Sequence, residues 1–214
     1  MALVIALNRG RILKQCLALL AKVGIEPVED MDASRKLIFQ TRSQGHKLVI
    51  MRGSDVPTYV EYGAADVGIT GKDTLLESAS SSGYYERLDL KIGRCRIMTA
   101  VPKGTASVAA SVAGPLRVAT KFVKVSRDYF ERQGLQVSII RLAGTMEIAP
   151  SMDLADCIVD LVDTGDTLKA NGLEPRETIA EITSRLIVNR ASMKTKFDEV
   201  EDFVEALRSV VNSS

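Results

Sequence analysis

Short apolar runs alternate with segments of helical period along most of this chain, and that alternation leaves few architectures open. Leu3–Leu7 reads as a buried strand. Ile12, Leu13, Cys16, Leu17, Leu19, Leu20 and Val23 follow at helical spacing, and Gly24 closes the helix. Leu37–Gln40 and Leu48–Met51 read as strands. Ser54 or Asp55 caps a helix that has Pro57 in its first turn and runs to Gly63. Val67–Thr70 is a further buried strand, and Gly71 turns the chain into a helix through Leu75 and Leu76. Strands alternating with helices predict a parallel sheet.

A second alternation follows the Ser-rich loop Ser78–Gly83. Leu88–Leu90 and Arg94–Val101 are extended, and Ala106–Gly114 is too rich in small residues to assign. Arg117–Thr120 is a strand, Val125–Gln133 a helix closed by Gly134, and Val137–Leu142 a strand. A helix around Met146–Met152 is shortened by Pro150. Ile179–Arg185 and Leu186–Asn189 are extended again. Lys194–Val211 is amphipathic, with Phe197, Val200, Phe203, Val204, Leu207 and Val211 on one face. The pattern predicts two α/β lobes, residues 1–92 plus 179–214 and residues 93–178. Two chain crossings make a hinge, with a ligand cleft between the lobes.

Composition narrows the function classes. The 214 residues carry a net charge of +1, so the chain lacks the basic excess of a general nucleic-acid or membrane-surface binder. Cys16, Cys95 and Cys157 are dispersed in apolar runs and read as buried thiols of a reducing compartment. The single histidine, His46, excludes a multi-histidine metal site and is expected at the surface at a strand start. The N-terminal apolar run reads as a strand and not as a signal peptide, and no run reaches membrane-spanning length. Together these predict a cytoplasmic location.

Cys157–Gly172 carries the most specific local pattern. Ile158, Val159, Leu161 and Val162 form a strand interrupted by Asp160. The turn Asp163-Thr164-Gly165-Asp166-Thr167 follows, then a short helix from Leu168 stopped by Asn171-Gly172. Helix-start amides, two hydroxyls and a glycine suit a phosphate group. The same pattern fits an ordinary strand-to-helix connection with Thr and Asp as caps. Asp163 and Asp166 oppose an anion and are expected to turn their carboxylates away from it. Asp160 either looks at solvent or is buried against hydroxyls or a cation.

Basic residues recur where strands of the first lobe end. Arg9-Gly10-Arg11 follows the first strand, Arg35 precedes the second, and Arg52-Gly53 follows the third. Carboxyl ends of strands in open α/β sheets hold ligands, and guanidinium forks match phosphates. Each copy alone also fits a solvated arginine beside a turn glycine. Asp66 through Gly71 is a glycine-flanked strand that serves either as a packing element or as a cleft wall. Glu147 alone is an unremarkable helix residue.

Five motifs, in order, now resemble one family. Val-Asp-Thr-Gly-Asp-Thr-Leu-Lys-Ala-Asn-Gly-Leu at 162–173, Arg-Gly-Ser-Asp-Val-Pro at 52–57 and Gly-Ala-Ala-Asp-Val-Gly-Ile-Thr-Gly-Lys-Asp at 63–73 are three of them. Ala-Ser-Arg-Lys-Leu-Ile-Phe at 33–39 and Arg-Val-Ala-Thr-Lys-Phe at 117–122 complete the set. They closely resemble ATP phosphoribosyltransferase, the enzyme of the first step of histidine biosynthesis. The resemblance implies a two-lobed, periplasmic-binding-protein-like (type II) α/β fold with a cleft between two mixed sheets. The length is similar to that of the family's short form. That form works with a histidyl-tRNA-synthetase-like regulatory subunit, which implies a hetero-octamer and a homodimer of catalytic subunits.

The resemblance also assigns roles. Thr164, Gly165, Asp166, Thr167 and Leu168 would hold the 5-phosphate of phosphoribosyl pyrophosphate, with Glu147 and Asp160 on ribose hydroxyls. Arg11 and Arg35 would be the catalytic groups beside the pyrophosphate and the ATP phosphates. Arg9, Gly10, Arg52, Asp66 and Gly71 would belong to the ATP side. Arg9 replaces the Lys usual in the family, which keeps the charge and changes the geometry. Mg²⁺ would arrive bound to substrate. Adenine N1 of ATP would displace pyrophosphate, so no nucleophilic side chain is implied. A solute-binding protein and a regulator's effector domain share the two-lobed architecture. The absence of a signal segment and the phosphate loop speak against the first, and the lack of a DNA-binding unit against the second.

Overall fold

The computed structural model describes residues 2–31, 34–42, 45–78, 82–105 and 114–213. Ala33, residues 79–81 of the Ser-rich loop and 106–113 of the small-residue stretch lie outside the described residues. In chain order the first elements are β1 (Val4–Asn8), α1 (Leu13–Lys22), β2 (Ile38–Gln40), β3 (Lys47–Met51), α2 (Val56–Glu61), β4 (Val67–Gly71), α3 (Lys72–Glu77) and β5 (Tyr84–Asp89). Next come β6 (Cys95–Pro102), β7 (Leu116–Thr120), α4 (Val123–Arg132), β8 (Val137–Arg141), β9 (Cys157–Val162), α5 (Asp166–Ala170) and β10 (Leu173–Ile182). The chain finishes with β11 (Ser184–Asn189), α6 (Ser192–Thr195) and α7 (Phe197–Asn212). Two compact units result, Met1–Gly93 with Thr183–Ser214, and Arg94–Ile182.

The first unit holds a mixed sheet in the order β2-β3-β1-β4-β11-β5. β1 runs parallel to β3 and β4, whereas β2 and β11 pair antiparallel. Cys16, Leu19 and Leu20 of α1 share one core cluster with Val200, Phe203, Val204, Leu207 and Val211 of α7 and with Ile5 and Leu7 of β1. Each Leu or Val side chain fully buried there contributes about 1.5–3 kcal/mol. A separate cluster joins Val56 and Val60 of α2 to Ala6 and Ile187. α2 can approach because Gly68 has no side chain: a Cβ there would lie 2.7 Å from a methyl of each valine.

Two sequence readings are corrected in this unit. The single helix read over 194–211 is two helices broken at Lys196, whose φ is −136°. The break directs the Lys196 ammonium onto Asp66, at 2.8 and 2.9 Å from its two oxygens. His46 is buried and not a surface residue: its Nδ1 accepts the Leu3 N–H at 3.0 Å. A buried main-chain donor at the start of β1 needs such an acceptor. Burial also pushes the imidazole pKa down.

The second unit holds a sheet in the order β10-β6-β9-β7-β8, with β7 parallel to β8 and β9, and β6 antiparallel to β9 and β10. The helix read around 146–152 is a single 3-10 turn, Met146–Ile148. Pro150 has no N–H to continue it. β10 starts six residues before the extended segment read from Ile179, at Leu173, and contains Pro175. That residue is tolerated because β10 is an edge strand and its register shifts twice, between Pro175 and Thr178 and between Thr178 and Ala180.

Candidate active site

In the second unit, β7 and β9 are adjacent and parallel, so both end at the same sheet edge. β9 runs into Asp163-Thr164-Gly165 and then α5. Gly165 sits at φ +86°, a left-handed conformation that favours glycine, and turns the strand into the helix. The first-turn amides of a helix lack intrahelical acceptors. That of Asp166 meets Thr164 Oγ1 at 3.4 Å, and the Thr164 hydroxyl donates to Asp166 Oδ2 at 2.7 Å. The Asp166 carboxylate is thereby engaged within the loop.

The loop walls a concavity of about 160 Å³ lined by Glu147, Asp160, Thr164, Gly165, Asp166, Thr167 and Leu168, together with Leu161, Val162 and Asp163. All seven residues that the resemblance assigns to phosphoribosyl pyrophosphate therefore line one hollow. Leu168 contributes main chain, since its side chain belongs to the core with Ile158, Val162 and Leu173. Asp160 faces the concavity from within β9, and its Oδ1 is buried without a hydrogen-bond partner. Lys121 Nζ stands 3.3 Å from that atom. Burial pushes the Asp160 pKa up and Lys121 pulls against it, while Glu147 adds to the rise; the net direction is upward.

In the first unit, Arg9-Gly10-Arg11 leaves the carboxyl end of β1. Gly10 sits at φ +114°, and the Arg9 N–H donates to Met51 O at 2.7 Å. Gly53 packs its Cα face on Asn8: a Cβ there would lie 2.8 Å from the Asn8 side chain. Thr70 Oγ1 donates to Gly53 O at 3.1 Å. The turns after β1, β3 and β4 are thus fastened together, bringing Arg9, Arg11, Arg52 and Gly71 to one edge. Arg35 joins them: β2 pairs antiparallel with β3 (Ile38 opposite Val49), and the Ile50 N–H donates to Leu37 O at 2.8 Å. Residues ahead of β2 therefore run toward the end of β3. A hollow of about 320 Å³ is lined by Arg9, Gly10, Arg11, Leu13, Lys14, Met31 and Ile50.

Asp66 does not join this edge. It lies before β4, at the opposite end of the parallel strands, and its N–H donates to Val4 O. Its carboxylate accepts from the Val4 N–H at 2.8 Å, from the Ser192 hydroxyl at 2.7 Å and from Lys196. Burial raises its pKa, but Lys196, Val4 and Ser192 outweigh that effect and the carboxyl titrates below its ordinary range. Its carboxylate forms a structural ion pair with Lys196 there. Gly68, read as packing or cleft wall, is packing.

Lys14 and Lys121 were missed in the sequence reading. Lys14 is in the first turn of α1, three residues after Arg11. Lys121 follows β7 just as Arg9 follows β1, so the strand-end rule that singled out the arginines also reaches it.

Two α/β units, each built on a mixed sheet, define a protein of the periplasmic-binding-protein-like (type II) class. The family model described as "HisG: ATP phosphoribosyltransferase" matches residues 52–209, and the chain belongs to that family. It is 60% identical to the ATP phosphoribosyltransferase of Teredinibacter turnerae, over 98% of this chain and 96% of that one. It is 56% identical to that of Saccharophagus degradans over the same shares. Among solved structures it is similar to the ATP phosphoribosyl transferase (HisG:HisZ) complex from Thermotoga maritima. There the TM-score is 0.83 and the identity 33%, over 99% of this chain and 100% of that one. Membership places the activity among pentosyl transfers to ATP, at the first step of histidine biosynthesis.

Proposed function

We propose that the concavity beside β9 holds the 5-phosphoribosyl group of phosphoribosyl pyrophosphate for transfer to N1 of ATP. The observation that carries this reading is the convergence of Glu147, Asp160 and the 163–168 loop on one hollow. Amides at the start of α5 and the Thr167 hydroxyl suit the 5-phosphate. The carboxylates of Glu147 and Asp160 accept from the ribose hydroxyls. Asp163 turns its carboxylate away from the phosphate, and Asp166 keeps its own on the Thr164 hydroxyl.

Arg11 and Arg35 take the catalytic role, with Arg9, Gly10, Arg52 and Gly71 on the ATP side. The adenine N1 lone pair forms the new bond to ribose C1 as the bond from C1 to the pyrophosphate oxygen breaks. Configuration at C1 inverts and pyrophosphate leaves. Guanidinium groups stabilise the charge that builds on it, which is electrostatic catalysis by fixed donors. Mg²⁺ enters on the pyrophosphate as part of the substrate.

The chain works in the cytoplasm as the short form, in a homodimer joined by a histidyl-tRNA-synthetase-like subunit into a hetero-octamer. The HisG:HisZ composition of the Thermotoga complex supports such a partner. No helix among the described residues is long and apolar enough to cross a membrane. The test is formation of N1-(5-phosphoribosyl)-ATP from ATP, phosphoribosyl pyrophosphate and Mg²⁺, with and without the partner, followed by absorbance. Absence of product in both mixtures overturns the reading.

A further inference from the structure

The turn that leaves β7 is fixed by a single buried side chain. The Thr120 hydroxyl donates to Val159 O at 2.7 Å and accepts the Phe122 N–H at 2.9 Å. Thr120 is opposite Val159 in the parallel register, so residue 121 is carried alongside residue 160. The Lys121 ammonium stands 3.3 Å from Asp160 Oδ1 and 4.9 Å from the centre of the Phe122 ring. Asp160 Oδ1 is buried and has no hydrogen-bond partner, so this cation is what faces it. From β6 the opposing residue is the apolar Met98, and from the 3-10 turn the facing group is Glu147, of like charge.

We propose that Lys121 is a positioning residue for phosphoribosyl pyrophosphate, holding Asp160 as an oriented carboxylate that accepts the ribose hydroxyls. The proposal rests on the transferase reading above and adds a residue to it. An ionised carboxylate is acceptor-only and offers both oxygens to hydroxyl donors, whereas protonation turns one of them into a donor. Burial and Glu147 both favour the protonated form of Asp160; Lys121 opposes them most strongly, with a smaller contribution from the Leu161 main chain. Without the lysine, Asp160 would share the hollow with Glu147, Asp163 and Asp166 and no facing cation, and would take up a proton at a higher pH. The protonated acid has lost acceptor capacity where the sugar offers donors.

The test uses the full chain in whichever mixture, with or without the partner, is active. Lys121→Met is expected to raise KM for phosphoribosyl pyrophosphate about tenfold and to move the acid limb of its kcat/KM upward by about one pH unit. KM for ATP stays within about twofold. Substrate titration is common to all variants and cancels in the comparison. Lys121→Arg restores most of the loss. In an Asp160→Asn background Lys121→Met adds little, because the carboxylate it served is gone. The proposal is overturned by an unmoved acid limb, by an equal rise in both KM values, or by the same loss in both backgrounds. Unfolding of both Lys121→Met and Lys121→Gln in a thermal melt also overturns it, since the lysine would then be structural. A wild-type chain without activity defeats the transferase reading itself, whereas an active wild type with an unresponsive Lys121 defeats this proposal alone.

Discussion

Lys196 Nζ lies 2.8 Å from Asp66 Oδ2, and this pair locks the break between α6 and α7 onto the entrance of β4. The carboxylate is buried, while the Lys196 side chain is 25% exposed. Lys196→Met leaves Asp66 with Ser192 and the Val4 amide and is expected to cost about 2–3 kcal/mol, below the 3–5 kcal/mol of a fully buried pair. The folded-state pKa of Asp66 is depressed, so its contribution is present above the unfolded value and is lost as pH falls through the folded one. Urea unfolding at neutral pH and at about pH 3 measures it, because the gap between wild type and variant narrows in acid.

Arg35→Ala is expected to lower turnover by about 10²–10³ while thermal stability stays near wild type, since Arg35 is exposed and stands ahead of an edge strand. Single-turnover assays separate this from slow product release. Unchanged turnover in a folded variant removes Arg35 from the leaving-group role.

At Gly68 the expected effect is on stability alone. Its added methyl would sit 2.7 Å from Val56 and Val60, both buried against the sheet. Gly68→Ala should cost about 1–3 kcal/mol by overpacking. Adding Val60→Ala should recover part of that, measured as the denaturation midpoint of the double variant against Val60→Ala alone.

The cysteines should be silent to thiol reagents. Burial pushes the Cys16 and Cys157 thiols up to about 12. Neither carries appreciable thiolate at neutral pH. Labelling by a chromogenic disulfide should appear only with denaturant, at the unfolding transition.

The periodicity along the chain carried β1, α1, β3, β4, β7, α4 and β9, because those segments bury one face on a sheet and their side chains must follow the period. It did not carry β10, whose first half, Glu174–Thr178, is polar and pairs only at a sheet edge. Main-chain register holds that segment, and composition is blind to register. His46 was misread, and the place of Asp66 was not foreseen, for a related reason. Each is a polar residue turned inward to meet a main-chain amide, at Leu3 and at Val4. Those partners lie 43 and 62 residues away along the chain. The loop residues 164–168 were legible because their neighbours in space are their neighbours in sequence. Lys121 was not, because only the parallel pairing of β7 with β9 brings it to Asp160.

The two register shifts and Pro175 in β10 bear on how this protein can be assembled. A regular edge strand offers an incoming chain a row of alternating donors and acceptors, and so invites a foreign strand to extend the sheet. β10 breaks that row at Pro175, at Thr178 and at Ala180. Along the broken part it displays Glu174, Arg176 and Glu177, with Arg176 and Glu174 paired at 3.3 Å. That edge is closed to strand addition, so a subunit meeting it must recognise charge and side-chain shape, and copies of the chain crowded together gain no template for fibrous growth there.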